Sequence, residues 1–266
     1  MSEPKPWGVC WVVVTGASKG LGAEICVGFA KLMAPGSCIV GVARSSQGLK
    51  DTEQKVKQAN PHVQFKSVVL DLGSADKEGM ESALAPTLST LENTALSKVL
   101  MVHNAGSLGD LQYVKNLIDH EHTRKYYEFN ISSVITLNAI FMDYVKSLPS
   151  SVQCQIINIS SLCAITPFKS WGLYCAGKAA RDMFFKVLAT EEPTISVLSY
   201  SPGPLDGDMQ AQVRATSADD EIRTSFTAMK EQGNLLPIHV SVAKMLQVIH
   251  ANKFKSGDHV DYYDEI

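Results

Sequence analysis

Val9-Cys10-Trp11-Val12-Val13-Val14 runs directly into Thr15-Gly16-Ala17-Ser18-Lys19-Gly20-Leu21-Gly22, and this junction decides the fold. A continuous β-branched run suits a strand buried on both faces of a parallel sheet. Behind the glycines a helical pattern continues to about Met33. Strand, glycine-rich turn and helix, in that order, make a dinucleotide-binding crossover. Glycines permit the tight turn and let backbone N–H groups approach a pyrophosphate, which then rests on the positive end of the helix. Ordinary loops can be glycine-rich too; the strand before and the helix after favour a cofactor.

The alternation continues along the chain. Further strands are expected at 37–43, 63–70, 98–103, 155–160, 194–200 and 257–262. Helices are expected at 47–60, 75–91, 121–146, 172–190 and 239–252, with Pro193 ending the fourth of these. Residues 108–120 read as a loop, and 206–232 as a polar, helix-like segment. No linker or repeat interrupts the pattern. The prediction is one doubly wound α/β domain over residues 1–266, with a mostly parallel seven-stranded sheet and helices on both faces. Active-site residues should gather at the carboxyl ends of the central strands.

Composition narrows the function. A 45% hydrophobic and 19% charged chain of 266 residues has globular values. A net charge of -3, with no run of Lys and Arg, argues against nucleic acid. No stretch approaches the ~20 apolar residues that span a bilayer. The polar, proline-containing start lacks the shape of a secretory signal, so a cytoplasmic protein is expected. The six cysteines lack C-x-x-C spacing and read as small buried hydrophobes in a reducing compartment. The seven histidines show no ligand-like spacing, so no metal is expected.

The chemistry is expected at 160–178 (SSLCAITPFKSWGLYCAGK). Tyr174 and Lys178 stand four apart and share a helix face. An ammonium beside a phenol should lower its pKa from about 10, so the pair could exchange a proton near neutrality. Ser160 or Ser161 offers a hydroxyl from the strand end. The same spacing also arises in an amphipathic surface pair.

The T-G-x-x-x-G-x-G spacing of Thr15–Gly22, joined to Tyr174-x-x-x-Lys178, resembles the short-chain dehydrogenase/reductase family. In that family a serine stands 13 residues before the tyrosine, which selects Ser161 over Ser160. The resemblance implies Tyr174 as the proton donor, Ser161 as the hydroxyl that orients the carbonyl, and Lys178 as a ligand of the nicotinamide ribose. The segment Phe129-Asn130-Ile131-Ser132-Ser133 matches the family segment whose Asn holds a water against the lysine. A mid-helix Asn otherwise marks a bend. His103-Asn104-Ala105-Gly106 departs from the usual N-N-A-G by one residue.

Cofactor binding is expected at Gly16, Ala17, Ser18, Lys19, Gly20, Leu21, Gly22, Ala43, Arg44, Asp71, Leu72, Asn104, Lys178, Leu205 and Met209. No Asp or Glu occurs between Ser37 and Lys50 to accept from the adenosine ribose. Arg44, with Lys19, can instead pair with a 2′-phosphate, which favours NADP(H). Asp71 and Leu72 flank the adenine by resemblance; on its own Asp71 reads as a helix cap or turn residue.

The runs ISSLCA, WGLYCAGKAARDM, LSYSPGPLDGDM and FKSGDHVDYYD resemble those family members that reduce side-chain ketones of pterins. That likeness implies Ser160, Ser161, Tyr174, Gly203 and Asp261 at the substrate, with Trp171 a possible wall and 206–232 the lid. Residues 254–266 would be a substrate-binding tail. A carboxylate at Asp261 can accept two N–H bonds from an amino-pyrimidine edge; Asp258, Asp264 and Glu265 around it also suit a solvated acidic tail. Gly203 would admit the ring through its missing side chain. A homodimer through the 121–146 and 172–190 helices is implied by analogy, with Ala176, Gly177, Ala179 and Ala180 small enough for close approach or for packing on the sheet. Reduction of other diketones or quinones is the alternative, and a non-catalytic NADP(H) sensor a more distant one.

Overall fold

The computed structural model describes residues 7–88 and 95–265. Its strands are β1 (Cys10–Thr15), β2 (Cys38–Ala43), β3 (Gln64–Val69), β4 (Lys98–His103), β5 (Gln153–Ile159), β6 (Ser196–Ser201) and β7 (His259–Asp261). They form one sheet in the order β3-β2-β1-β4-β5-β6-β7, parallel at every pairing. The expected mostly parallel sheet is therefore fully parallel among the described residues. The order reverses between β1 and β4, where a crevice opens at the carboxyl ends.

Alternating side chains of each central strand leave for opposite faces. Val12, Val14, Ile39, Leu100 and Val102 join one buried cluster. Trp11, Val13, Val40, Val99, Met101 and Ile156 join the other. Helices α1 (Gly20–Leu32), α2 (Ser46–Ala59) and α9 (Ile238–Ala251) cover the first face. The second is covered by α3 (Lys77–Leu88), α5 (Ser133–Val145) and α6 (Gly172–Glu191). Burial on both faces explains the unbroken β-branched runs. Each fully buried Val or Leu contributes roughly 1.5–3 kcal/mol.

Two expectations shift. The 75–91 helix starts at Lys77, and residues 89–91 lie outside the described residues. The single 121–146 helix is interrupted: α4 (His120–Tyr127) passes through a π turn at Glu128–Ser132 before α5. Asn130 explains the break. Its Nδ2 donates to the Tyr126 carbonyl, 2.9 Å away and four residues back, which is the acceptor an α-helix would give its own N–H. The turn widens instead, and Ser133 N bonds the carbonyl of Glu128. The polar 206–232 segment is helical as expected, as α7 (Asp208–Thr216) and α8 (Asp220–Glu231).

Candidate active site

The glycine-rich turn sits at the carboxyl end of β1, where β4 holds it. Thr15 Oγ1 accepts from the N–H of Asn104 (3.0 Å) and of Ala105 (2.9 Å), and Asn104 Nδ2 donates to the Thr15 carbonyl at 2.8 Å. Gly22 packs so close that a Cβ there would lie 2.2 Å from the Gly16 carbonyl oxygen. The first turn of α1 carries no acidic residue, and Lys19 at its cap makes no side-chain cap bond. Its leading N–H groups therefore suit an anion such as a pyrophosphate. These features fit a dinucleotide.

Around that turn, the residues expected at the cofactor fall into two groups. Ala17, Gly22, Ala43 and Leu72 are buried. Lys19, Arg44, Asp71 and Met209 are exposed at the same edge, with Ser18, Gly20, Leu21, Asn104 and Leu205 exposed or partly so. Asp71 Oδ1 accepts from Gly73 N at 3.0 Å, so it also serves its own turn. Lys19 does not stand open beside Arg44: its Nζ lies 2.5 Å from Asp208 Oδ2 at the start of α7. Asp208 was not singled out by sequence reasoning, because 189 residues separate the pair.

Helix α6 presents Tyr174, Lys178, Arg181 and Phe185 along one buried stripe. Three of these are polar, and each has partners. Lys178 Nζ donates to the Ile159 carbonyl at the end of β5 (2.7 Å) and lies 5.6 Å from the centre of the Tyr174 ring. Trp171 packs edge-on against Tyr174, with ring centres 5.8 Å apart. Met209 Sδ is 3.9 Å from the phenol oxygen. Ser161 is half-buried, its Oγ accepting from Cys163 N at 3.2 Å.

The neighbouring Ser160 points elsewhere. It is buried and donates to Asp182 Oδ1 at 2.6 Å. Any substrate contact of Ser160 falls to its main chain.

The expected electrostatics are reversed. Burial and the nearby Cys163 thiol push the Tyr174 phenol well above its ordinary value, against the Ser161 hydroxyl and Arg181, which pull it down. Burial, helped by Arg181, holds Lys178 itself well below the usual lysine range. Desolvation penalises both charged forms and outweighs their mutual attraction.

Asn130, Lys178 and Arg181 converge on Gly106. A Cβ placed there would lie 3.4 Å from Asn130 Oδ1, 3.8 Å from Arg181 Nη1 and 3.9 Å from Lys178 Nζ. Three of the four hydrogen-bonding positions of the Asn130 side chain are taken: Oδ1 accepts from Ser107 N (2.8 Å), and Nδ2 donates to Ser107 Oγ and to Tyr126 O. Arg181, which sequence reasoning missed, ties the strand ends together. Nη2 donates to the carbonyl of His103, Nη1 to that of Ala105 (3.0 Å), and Nε to Asn158 Oδ1 (2.8 Å). A charged pair three and four residues beyond Lys178, on a helix with a buried polar stripe, was the available signal.

His103 stands in the place of the usual Asn, with its Nδ1 buried and without a hydrogen-bond partner among the described residues. Its Nε2 pairs with Asn138 Oδ1 at 3.2 Å and its ring packs 5.1 Å from Phe185. Burial and the Arg181 charge hold it neutral, with a pKa pushed down to about 3.

At the edge of the sheet, Asp261 is partly buried on β7 and pairs in register with Ser201. Its Oδ1 accepts from Tyr263 N at 3.1 Å. Gly203 has φ +73, and a Cβ there would meet Leu236 Cδ1 at 2.7 Å and Tyr262 Cβ at 3.5 Å. A side chain at Gly203 would thus meet protein, so the fold itself requires glycine there. Among the described residues no His, Cys, Asp or Glu group could hold a metal ion, and no helix is long and apolar enough to cross a membrane. All six cysteines are unpaired.

The short chain dehydrogenase family model matches residues 10–218. The chain is 40% identical over 255 residues to a sepiapterin reductase of Bos taurus, covering 95% of this chain and 94% of that one. It is 26% identical to a benzil reductase of Bacillus cereus, covering 93% and 97%. The solved KRED1-Pglu enzyme superposes with a TM-score of 0.80 at 28% identity, covering 95% of this chain and all of that one. With its parallel sheet, its glycine turn and a match over most of its length, the chain belongs to the short-chain dehydrogenase/reductase family of oxidoreductases.

Proposed function

We propose that this chain reduces side-chain ketones of pterins, among them sepiapterin and 6-pyruvoyl-tetrahydropterin, with NADPH. The Ser161 hydroxyl hydrogen-bonded to Tyr174, with Lys178 5.6 Å from that ring, carries this reading, together with likeness to sepiapterin reductases over 95% of the chain. Bound NADPH would supply the hydride. Gly16–Gly22 and the start of α1 hold its pyrophosphate, and Arg44 with Lys19 holds its 2′-phosphate. Asp71 and Leu72 line its adenine, while Asn104, Leu205 and Met209 border its nicotinamide end.

Burial keeps Tyr174 in the phenol form, so it has a proton to give to the carbonyl oxygen. Ser161 donates a hydrogen bond to that oxygen and orients it. Lys178 bonds the nicotinamide ribose and, through a water held with Asn130, replaces the proton. Asn130 has two acceptors for that water, the second lone pair of Oδ1 and its main-chain carbonyl. Asp261 accepts N–H bonds from the pterin edge, Trp171 walls the cleft, and 206–232 closes over it.

The enzyme works as a cytoplasmic homodimer in this reading. Ala176, Ala179 and Ala180 are exposed on α6 beside Met183 (59%) and Val187 (46%), whereas Gly177 faces inward under Tyr126. The test is sepiapterin's visible absorbance under NADPH, which should disappear at a rate proportional to enzyme. No loss would overturn the substrate assignment. Similarity to a benzil reductase favours diketones as the second reading, and a diketone panel in the same assay separates the two.

A further inference from the structure

Three elements meet on one carboxylate. Asp182 projects from α6, eight residues after Tyr174 and four after Lys178, and its side chain is 13% exposed. Oδ1 accepts from Ser160 Oγ (2.6 Å) and Asn158 Nδ2 (2.9 Å), both at the end of β5. Oδ2 accepts from His259 Nδ1 on β7 (2.6 Å). Asn158 Nδ2 reaches Ser199 Oγ on β6 (3.1 Å), and Asn158 Oδ1 accepts from Arg181. None of these groups is needed for the proton or hydride steps.

We infer that Asp182 is a positioning residue that couples the reacting side of the cleft to its substrate-holding side. Ser160 precedes Ser161, and neighbouring residues of an extended chain face opposite ways. Fastening Ser160 inward therefore aims Ser161 outward. At the other end, His259 and Asp261 lie two apart on a strand and share a face. β7 is a three-residue edge strand with one sheet neighbour, so its register is weakly specified by pairing alone. The His259–Asp182 bond supplies a second constraint and sets how far Asp261 stands from Tyr174. The Asp182 charge also favours the protonated form of Lys178 against burial.

This inference rests on the proposed role of Asp261 as substrate anchor. Its test compares His259→Leu, His259→Asn, Asp182→Asn and Asp261→Ala in the full-length protein, with sepiapterin and NADPH as probes. His259→Leu should raise the sepiapterin KM about tenfold while kcat and NADPH affinity stay within about twofold. His259→Asn places its Nδ2 where Nδ1 stands, still donates to Oδ2 and should restore KM even where both variants melt at the same temperature. Asp182→Asn, which also loses the charge beside Lys178, should lower kcat as well as raise KM. A general loss of stability would lower apparent kcat at unchanged KM and would not be rescued by Asn; that outcome overturns the coupling. So does an unchanged KM in His259→Leu while Asp261→Ala raises it, which leaves the anchor standing. If neither variant moves KM, anchor and coupling both fail.

Discussion

Lys178 Nζ donates to the Ile159 carbonyl at 2.7 Å, so the ammonium of α6 is fastened to the last residue of β5, one residue before Ser160. Holding it there buries the charge, and burial sets its titration.

The alkaline limb of the pH profile should therefore belong to Lys178. Its pKa is lowered, so the ammonium is present below that depressed value and lost as pH rises through it. The Tyr174 phenol, pushed upward, keeps its proton over the same range. Plotted against pH, kcat/KM for ketone reduction should break downward below about 10, the ordinary range of both groups. A break above 10 would contradict the assignment.

Removing only the phenol oxygen tests the acid. Tyr174→Phe keeps the ring against Trp171, so NADPH binding by fluorescence titration should stay within about twofold, with turnover falling roughly 10²–10⁴-fold. Ser161→Ala should cost about 10²–10³ in kcat, as expected for one lost donor to a developing oxyanion. Near-normal turnover in Tyr174→Phe would rule the residue out as the acid.

Cofactor preference should respond to the edge of β2. Arg44→Asp should weaken NADPH binding more than NADH binding; equal loss would count against a 2′-phosphate contact. Asp208→Asn should release Lys19 from its ion pair and tighten NADPH by about two- to fivefold at low salt, less as salt screens the site. Paired titrations at two ionic strengths measure both effects.

His103 makes the fold sensitive to acid. Its pKa is about 3 when folded and near 6.5 when unfolded. Between those values the unfolded chain binds the extra proton, so stability rises with pH and is lost as pH falls, by up to about 1.4 kcal/mol per unit. Urea unfolding at several pH values should show His103→Asn with a shallower dependence over this window. An unchanged slope would show that another group sets it.

Local patterns sufficed for the fold and for placing Tyr174 and Lys178 on one helix face. The β-branched run before Gly16, the strand and helix periods, and the four-residue step from Tyr174 to Lys178 are short-range properties. Each constrains which side chains share a face, and those faces have one economical way to be buried. The 13-residue rule that separated Ser161 from Ser160 came from family likeness, and the structure shows what occupies Ser160: a bond to Asp182.

What tertiary structure alone decided depends on contacts between distant segments. The Lys19–Asp208 pair joins residues 189 positions apart, and the His259–Asp182 bond joins residues 77 apart. No local period encodes either. The reversal at Tyr174 has the same origin: spacing supplied its charged neighbour, but desolvation by packing against Trp171, Cys163 and Lys178 set its proton affinity. The junction at Val14–Gly16 determined what kind of molecule this is; the packing around α6 determined which of its groups hold a proton.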